Sequence, residues 1–162
     1  MLQAISNTSP LLYLYHRGLI DRLPEIFGEI WTPEAVHVEL MVGDKSGYDV
    51  PTLSEYSWLR IINPKAQPSE WLSLDLGPGE LSAMSLALEN SHCIVLLDDM
   101  LARRTAHAAG LQVCGTLKVL LEIKAQGFIS KVEPYVNRLT DAGMWVSDDV
   151  KRRILLLSGE LE

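Results

Sequence analysis

Asn7, Glu39, Glu80 and the pair Asp98-Asp99 carry oxygen donors at points where a fold can gather them. They stand far apart along the chain, so any site they share exists only after folding. Carboxylates and an amide carbonyl are hard ligands that suit Mg²⁺ or Mn²⁺ rather than zinc. Two unit charges 4 Å apart repel by about 4 kcal/mol at an effective dielectric of about 20. Three or four converging acids therefore need a divalent ion, protonation or basic neighbours. Each residue also has a plainer reading. Asp98 can cap a helix, and Asp99 or Glu80 can favour the dipole of a first helical turn. Glu39 can lie on a solvated helix face, and Asn7 can be only a turn residue.

The elements around these residues read as short strands alternating with helices. Leu2 to Ile5 is an apolar run that stops at Ser6-Asn7-Thr8-Ser9-Pro10, where Ser9 followed by Pro10 signals a helix start and Gly18 its end. Asn7 thus falls where a buried strand turns into a helix. A second short helix is expected over 19–27 and a strand over Glu29 to Trp31. Thr32-Pro33 repeats the cap-plus-proline signal and opens a helix through about Met41, with Val36 and Leu40 on one face. Gly43 to Pro51 reads as a loop, Trp58 to Ile62 as a strand, and the stretch carrying Pro68 as a second loop. Leu76-Gly77-Pro78-Gly79 punctuates the start of a helix from Glu80 to about Glu89.

Cys93 to Leu97 is uniformly apolar, which suits a parallel strand covered on both faces. Asp98-Asp99 follows at once, then an alanine-rich helix to Ala109. Leu111 to Cys114 reads as a strand, and Thr116 caps a helix through Gln126. Two further helices are expected at about 132–142 and 147–157. This alternation predicts an α/β domain with a parallel sheet, in which ligands gather outside the carboxyl ends of the strands. Asn7-Thr8-Ser9 and Asp98-Asp99 both stand at such ends.

Composition narrows the function classes. The chain has 162 residues, 48% hydrophobic and 22% charged, which suits one globular domain over 1–162. The formal net charge of −7 argues against holding nucleic acid tightly by bulk charge, but not against an enzyme that touches it briefly. Cys93 and Cys114 lack metal spacing and read as buried small hydrophobes. His16, His37, His92 and His107 form no metal spacing either. No run approaches 18 apolar residues and no basic leader opens the chain, so a cytoplasmic protein without a membrane segment is expected.

Four short stretches together resemble the PIN-domain family: Ile5-Ser6-Asn7-Thr8-Ser9-Pro10-Leu11, Val36-His37-Val38-Glu39-Leu40, Gly79-Glu80-Leu81-Ser82-Ala83 and Leu96-Leu97-Asp98-Asp99. More narrowly, the chain is similar to the DUF3368 branch, almost throughout Leu97 to Gly127 and over about residues 2–157. The resemblance implies a three-layer α/β/α sandwich with a central, mainly parallel sheet of about five short strands and an acidic pocket for Mg²⁺ or Mn²⁺. It implies metal-dependent hydrolysis of single-stranded RNA, as in VapC-like toxins of toxin–antitoxin pairs, which are commonly homodimers bound by a small antitoxin. Carried over by position, Asn7, Glu39, Glu80 and Asp99 take the four metal and catalytic places, with Asp98 as an additional or substitute ligand. Thr8 and Thr116 match hydroxyl positions near the pocket. Asn7 departs from the commoner aspartate and removes one negative charge from the site.

Arg103 and Arg104 follow the acids by one helical turn and could meet a substrate backbone, or lie on a solvated helix face. Lys151-Arg152-Arg153 could form a phosphate rim, or balance Asp148-Asp149. Trp58, Trp71 and Trp145 could serve an interface or the core. The alternative to an active ribonuclease is a catalytically weakened PIN-like module that binds RNA or a partner protein. A receiver-type signalling domain would need its acid pair after the first strand. A dinucleotide enzyme would need a glycine-rich fingerprint there, and neither is present.

Overall fold

A computed structural model describes residues 3–66 and 76–161. Trp71 and the Pro68 loop lie outside the described residues. The chain divides into two compact units, Met1–Gly115 and Thr116–Glu162.

The first unit is built on five parallel strands in the order β3-β2-β1-β4-β5. They are β1 (Ala4–Ser6), β2 (Ile30–Thr32), β3 (Leu59–Ile61), β4 (Ile94–Leu96) and β5 (Gln112–Cys114). Ile5 lies between Trp31 of β2 and Val95 of β4, which fixes the register of the central strands. β1 and β4 are buried along their whole length, and the uniformly apolar β4 is what a sheet covered on both faces requires. From β1 the chain winds outward through β2 and β3, then returns to place β4 on the other side of β1. Right-handed crossovers in opposite directions put helices on opposite faces of a sheet. The result is the α/β class with the three-layer α/β/α arrangement expected from the sequence.

The reversal of winding falls between β1 and β4, whose carboxyl ends carry Asn7 and Asp98-Asp99. The backbone ladder runs one step beyond β1, where the Asn7 N–H donates to the Leu96 carbonyl at 3.2 Å. Thr32 Oγ1 donates to the Ser6 carbonyl at 2.8 Å, tying β2 to the same strand end. Below the reversal, Ile5, Met84, Val95, Leu97 and Ala102 form a buried cluster that holds the strand ends in place.

The helices of this unit are α1 (Thr8–His16), α2 (Leu23–Phe27), α3 (Glu34–Lys45), α4 (Pro78–Glu89) and α5 (Met100–Ala108). Two short 3-10 turns, Ile20–Arg22 and Leu53–Glu55, complete the described elements. Several helix starts differ from the expectation. Ser9 does not cap α1: the helix begins at Thr8 and Asn7 is the residue at its N-cap. Thr32 does not cap α3 either, because it is the last residue of β2 and spends its hydroxyl on Ser6. Pro33 stands at that N-cap with extended backbone. In both places a nearby strand carbonyl competes for the hydroxyl or the chain turns earlier, which a local cap signal cannot register. α3 also runs past Met41 to Lys45 and absorbs Gly43, and α4 starts at Pro78 rather than Glu80.

The second unit comprises α6 (Thr116–Ala125), α7 (Glu133–Asp141) and α8 (Asp148–Ser158), within a residue or two of expectation. Ser147 caps α8 by accepting from the Val150 N–H at 3.1 Å, and Gly159 ends it in the left-handed conformation. Val119, Leu120, Ile123, Val136, Leu139, Ile154 and Leu155 supply the unit's buried face. Both cysteines are buried and form no disulfide, as expected of small apolar side chains. No helix among the described residues is long and apolar enough to cross a membrane.

Candidate functional site

At the carboxyl end of β1, Asn7 is only 5% exposed. Its side-chain oxygen Oδ1 is buried and has no hydrogen-bond partner among the described residues. Leaving a buried acceptor unmade costs about 1–3 kcal/mol, so such an atom calls for a ligand. As N-cap of α1 it would ordinarily accept from a backbone N–H of the first turn, yet it makes no such bond.

Glu39 projects from α3, and both of its carboxylate oxygens are held. Oε2 accepts from the Thr8 hydroxyl in a short hydrogen bond, and Oε1 accepts from the Gly79 N–H at 2.9 Å. The second contact lies at the start of α4, where the helix dipole favours negative charge. Gly79 has to be glycine for this approach. A Cβ there would stand 2.6 Å and 2.8 Å from the two oxygens of Glu39. Thr8, whose hydroxyl matches a family position near the pocket, orients a carboxylate here.

Glu80 occupies the third position of α4 and reaches back so that Oε1 accepts from the Gly77 N–H at 3.3 Å. Burial pushes its carboxyl above the usual range, the Gly77 bond pulls it down, and the negative charges of Asp99 and Glu39 push it up again. The structure thus brings Glu39, Glu80 and Asp99 into one electrostatic field from three separate helical termini or faces.

Asp99, rather than Asp98, is the N-cap of α5: its Oδ2 accepts from the Ala102 N–H at 2.9 Å. Asp98 turns another way. Its Oδ1 and the Arg103 guanidinium both crowd the space beside Gly115, where a Cβ would lie 3.3 Å from that oxygen and would collide with the guanidinium. On the same side, burial and then the Asp98 charge raise the Tyr13 phenol, and Arg17 lowers it. Asp98 therefore belongs with Arg103, Tyr13 and Arg17. Arg104 is exposed on the same helix. Thr116 is buried as the first residue of α6, in the second unit.

Among the described residues no three His, Cys, Asp or Glu side chains close into a ready-made metal cage. The donors nonetheless fit a hard cation. Mg²⁺ keeps several of its waters and is commonly held by only one or two carboxylates. The Asn7 oxygen lacks a donor, Glu80 feels two like charges, and all the donors are oxygen. Glu39, Glu80, Asp99 and Asn7 are the residues that would hold such an ion.

Gly77, Gly79 and Tyr13 were not among the residues expected to matter. The Gly-Pro-Gly-Glu run over 77–80 was visible as a helix start. The Gly77 N–H bond to Glu80 is a local capping-box contact, but that Gly79 also presents its N–H to Glu39 depends on α3 lying beside α4, which no local pattern records. Tyr13 carries no motif of its own. Of the tryptophans, Trp58 is half-buried and Trp145 is 77% exposed.

No curated protein matches the chain at a significant level. A family model described as DUF3368, a PIN domain, matches residues 3–160, nearly all of the sequence. With this parallel sheet and an acidic field beside its point of reversal, the chain belongs to the PIN-domain family, DUF3368 branch, a nuclease-type family.

Proposed function

We propose that this protein is a divalent-metal-dependent ribonuclease that hydrolyses phosphodiester bonds of single-stranded RNA, acting as the toxin of a toxin–antitoxin pair. The observation that carries the reading is the buried, unpartnered amide oxygen of Asn7 at the reversal of the sheet. In an open α/β sheet that crevice is where ligands bind. Glu39, Glu80 and Asp99 would supply the anionic donors, and a Mg²⁺ or Mn²⁺ ion held there would offset their repulsion and give the Asn7 oxygen a partner.

When bound, such an ion lowers the proton affinity of water and stabilises charge on phosphoryl oxygens. The chain's own residues do the rest. Thr8 and the Gly79 N–H lock the Glu39 carboxylate, so its orientation costs no reorganisation during the reaction. Gly77 and Ala102 fix one oxygen each of Glu80 and Asp99. Burial and the Asp99 and Glu39 charges raise the proton affinity of the Glu80 carboxyl, which suits it to proton exchange in this reading. Arg103, beside Asp98 and Gly115, and the exposed Arg104 are the α5 cations that this reading sets against a phosphate. Thr116 and Asp98 remain proposed contributors on the family pattern alone. A homodimer and a small antitoxin are the partners this reading implies, in the cytoplasm.

The test is cleavage of a labelled single-stranded oligoribonucleotide as Mn²⁺ is titrated in. Asp99→Asn and Glu80→Gln are expected to abolish cleavage with the fold intact by circular dichroism. Cleavage unchanged in both variants would assign it to a contaminant and overturn the proposal. The weakened-module alternative draws on the missing charge at Asn7 and the net charge of −7, and no detectable divalent-ion binding by the wild type would select it.

A further inference from the structure

The formal charge of the protein is distributed unevenly between its two units. Residues 116–162 hold seven Lys and Arg against seven Asp and Glu, so the whole net charge of −7 belongs to residues 1–115. An anionic polymer that visits this chain meets its least repulsive surface on the second unit.

That unit carries a cleft of about 410 Å³ between the end of α6 and α7. Phe128, Tyr135, Lys131, Arg138 and Ser130 line it. Phe128, Lys131 and Arg138 are exposed and Tyr135 is half-buried. The Arg138 guanidinium lies over the Tyr135 ring, 5.5 Å from its centre, a cation–π contact. The backbone N–H groups that open α7 do not serve the cleft. Glu160 occupies those of Val132 and Glu133 at 2.7 Å and 3.1 Å. Recognition in the cleft is therefore left to the aromatic rings, the two cations and a hydroxyl.

We propose that this cleft binds one nucleotide unit of single-stranded RNA, with the base stacked against Tyr135 and Phe128 and the phosphate met by Lys131 and Arg138. The identity of the polymer rests on the ribonuclease reading; the cleft chemistry does not. Base–aromatic stacking is worth enough per base to change affinity by about fivefold or more, and it tolerates any sequence. Each phosphate contact on a single strand contributes about 0.7 to the slope of log affinity against log salt. Such a site gives a net-negative enzyme a foothold on RNA that bulk charge denies it.

The experiment has two arms, both in EDTA so that no turnover occurs. In the first, adenosine monophosphate is titrated into ¹⁵N-labelled protein, and amide shifts are expected to cluster over residues 128–138. In the second, fluorescence anisotropy follows a labelled single-stranded oligoribonucleotide. Tyr135→Leu should weaken binding at least about fivefold. The double variant Lys131→Gln, Arg138→Gln, at exposed positions where folding is not at stake, should lower the salt slope by about 1.4. Variants that bind as tightly and with the same slope as wild type overturn the inference, while wild-type cleavage in Mn²⁺ would leave the ribonuclease reading standing. Shifts and variant effects as expected, with no cleavage under any metal, would support the cleft and overturn the ribonuclease reading instead.

Discussion

Asn7 is the residue where the site's chemistry is most exposed to a single change. Its oxygen is buried and lacks a partner among the described residues, so replacing the amide by a carboxylate should have opposite effects with and without the proposed ion. Without an ion, Asn7→Asp places another negative charge in a desolvated position and should lower the melting temperature. With Mn²⁺ it should bind the ion more tightly, recover that loss and cleave faster. Isothermal titration and a thermal melt with and without Mn²⁺ check both signs, and equal affinity in the two proteins would remove Asn7 from the metal's neighbourhood. Gly79 makes a second prediction. The methyl group of Gly79→Ala would stand within 2.9 Å of the Glu39 carboxylate carbon and both oxygens. The carboxylate must swing away and lose the Gly79 N–H. Groups that orient a metal ligand are typically worth 10–100-fold in affinity or activity. A loss of about tenfold in Mn²⁺ affinity with little change in secondary structure is expected. Thr8→Val should act in the same direction, because it removes the other partner of Glu39.

The elements that carry these residues were largely legible, because a run such as Cys93 to Leu97 permits little except a doubly covered strand. Their junctions were less so. Both Ser9 and Thr32 offered sound cap signals, yet α1 starts before Ser9, and the Thr32 hydroxyl bonds to the Ser6 carbonyl 26 residues away. Which acid of Asp98-Asp99 caps α5 was equally undetermined locally: both precede the helix, and only the path of the chain past Gly115 separates them. Long-range contacts also hid Glu160, a surface-type residue in an unremarkable tail. Its side chain is 8% exposed and accepts from Lys124 Nζ at 3.0 Å and from the N–H groups of Val132 and Glu133. Burial alone would push its carboxyl up, but the Val132 and Glu133 N–H groups, Lys124 and Ser158 outweigh it and lower it to about 2. A carboxyl lowered in the folded state stabilises above its unfolded value near 4.5, and that contribution is lost as pH falls through about 2. Glu160→Gln should therefore lower the urea midpoint at pH 7, and the gap from wild type should close as the pH approaches 2. A gap independent of pH would mean that the carboxylate charge is not what fastens the chain end to α6 and α7.

For the molecule as a whole, the acidic field at the reversal of the sheet is a source of instability that the proposed cation would remove. Glu80 is raised by burial and by the Asp99 and Glu39 charges, which outweigh the Gly77 bond that lowers it. The sign follows from proton linkage: between the ordinary carboxylate value and the raised one, the folded state binds more protons than the unfolded state. Stability of the metal-free protein should therefore fall as the pH rises through that interval. Glu80→Gln keeps an acceptor for the Gly77 N–H but has no charge to repel, so it should flatten this decline and raise the metal-free melting temperature at pH 7. Mn²⁺ should do the same for wild type. Saturation at about 100 times the dissociation constant is worth about 2.7 kcal/mol, or about 5–10 °C for a chain of this size. The increment should shrink at low pH, where protons compete with the ion for Glu80, and should be small in Glu80→Gln at any pH. Melts across pH with Mn²⁺ or EDTA read all of these signs at once. A wild-type melting temperature that ignores Mn²⁺ at neutral pH would show that the three acids are reconciled by other means, and the metal-dependent mechanism would fail with it.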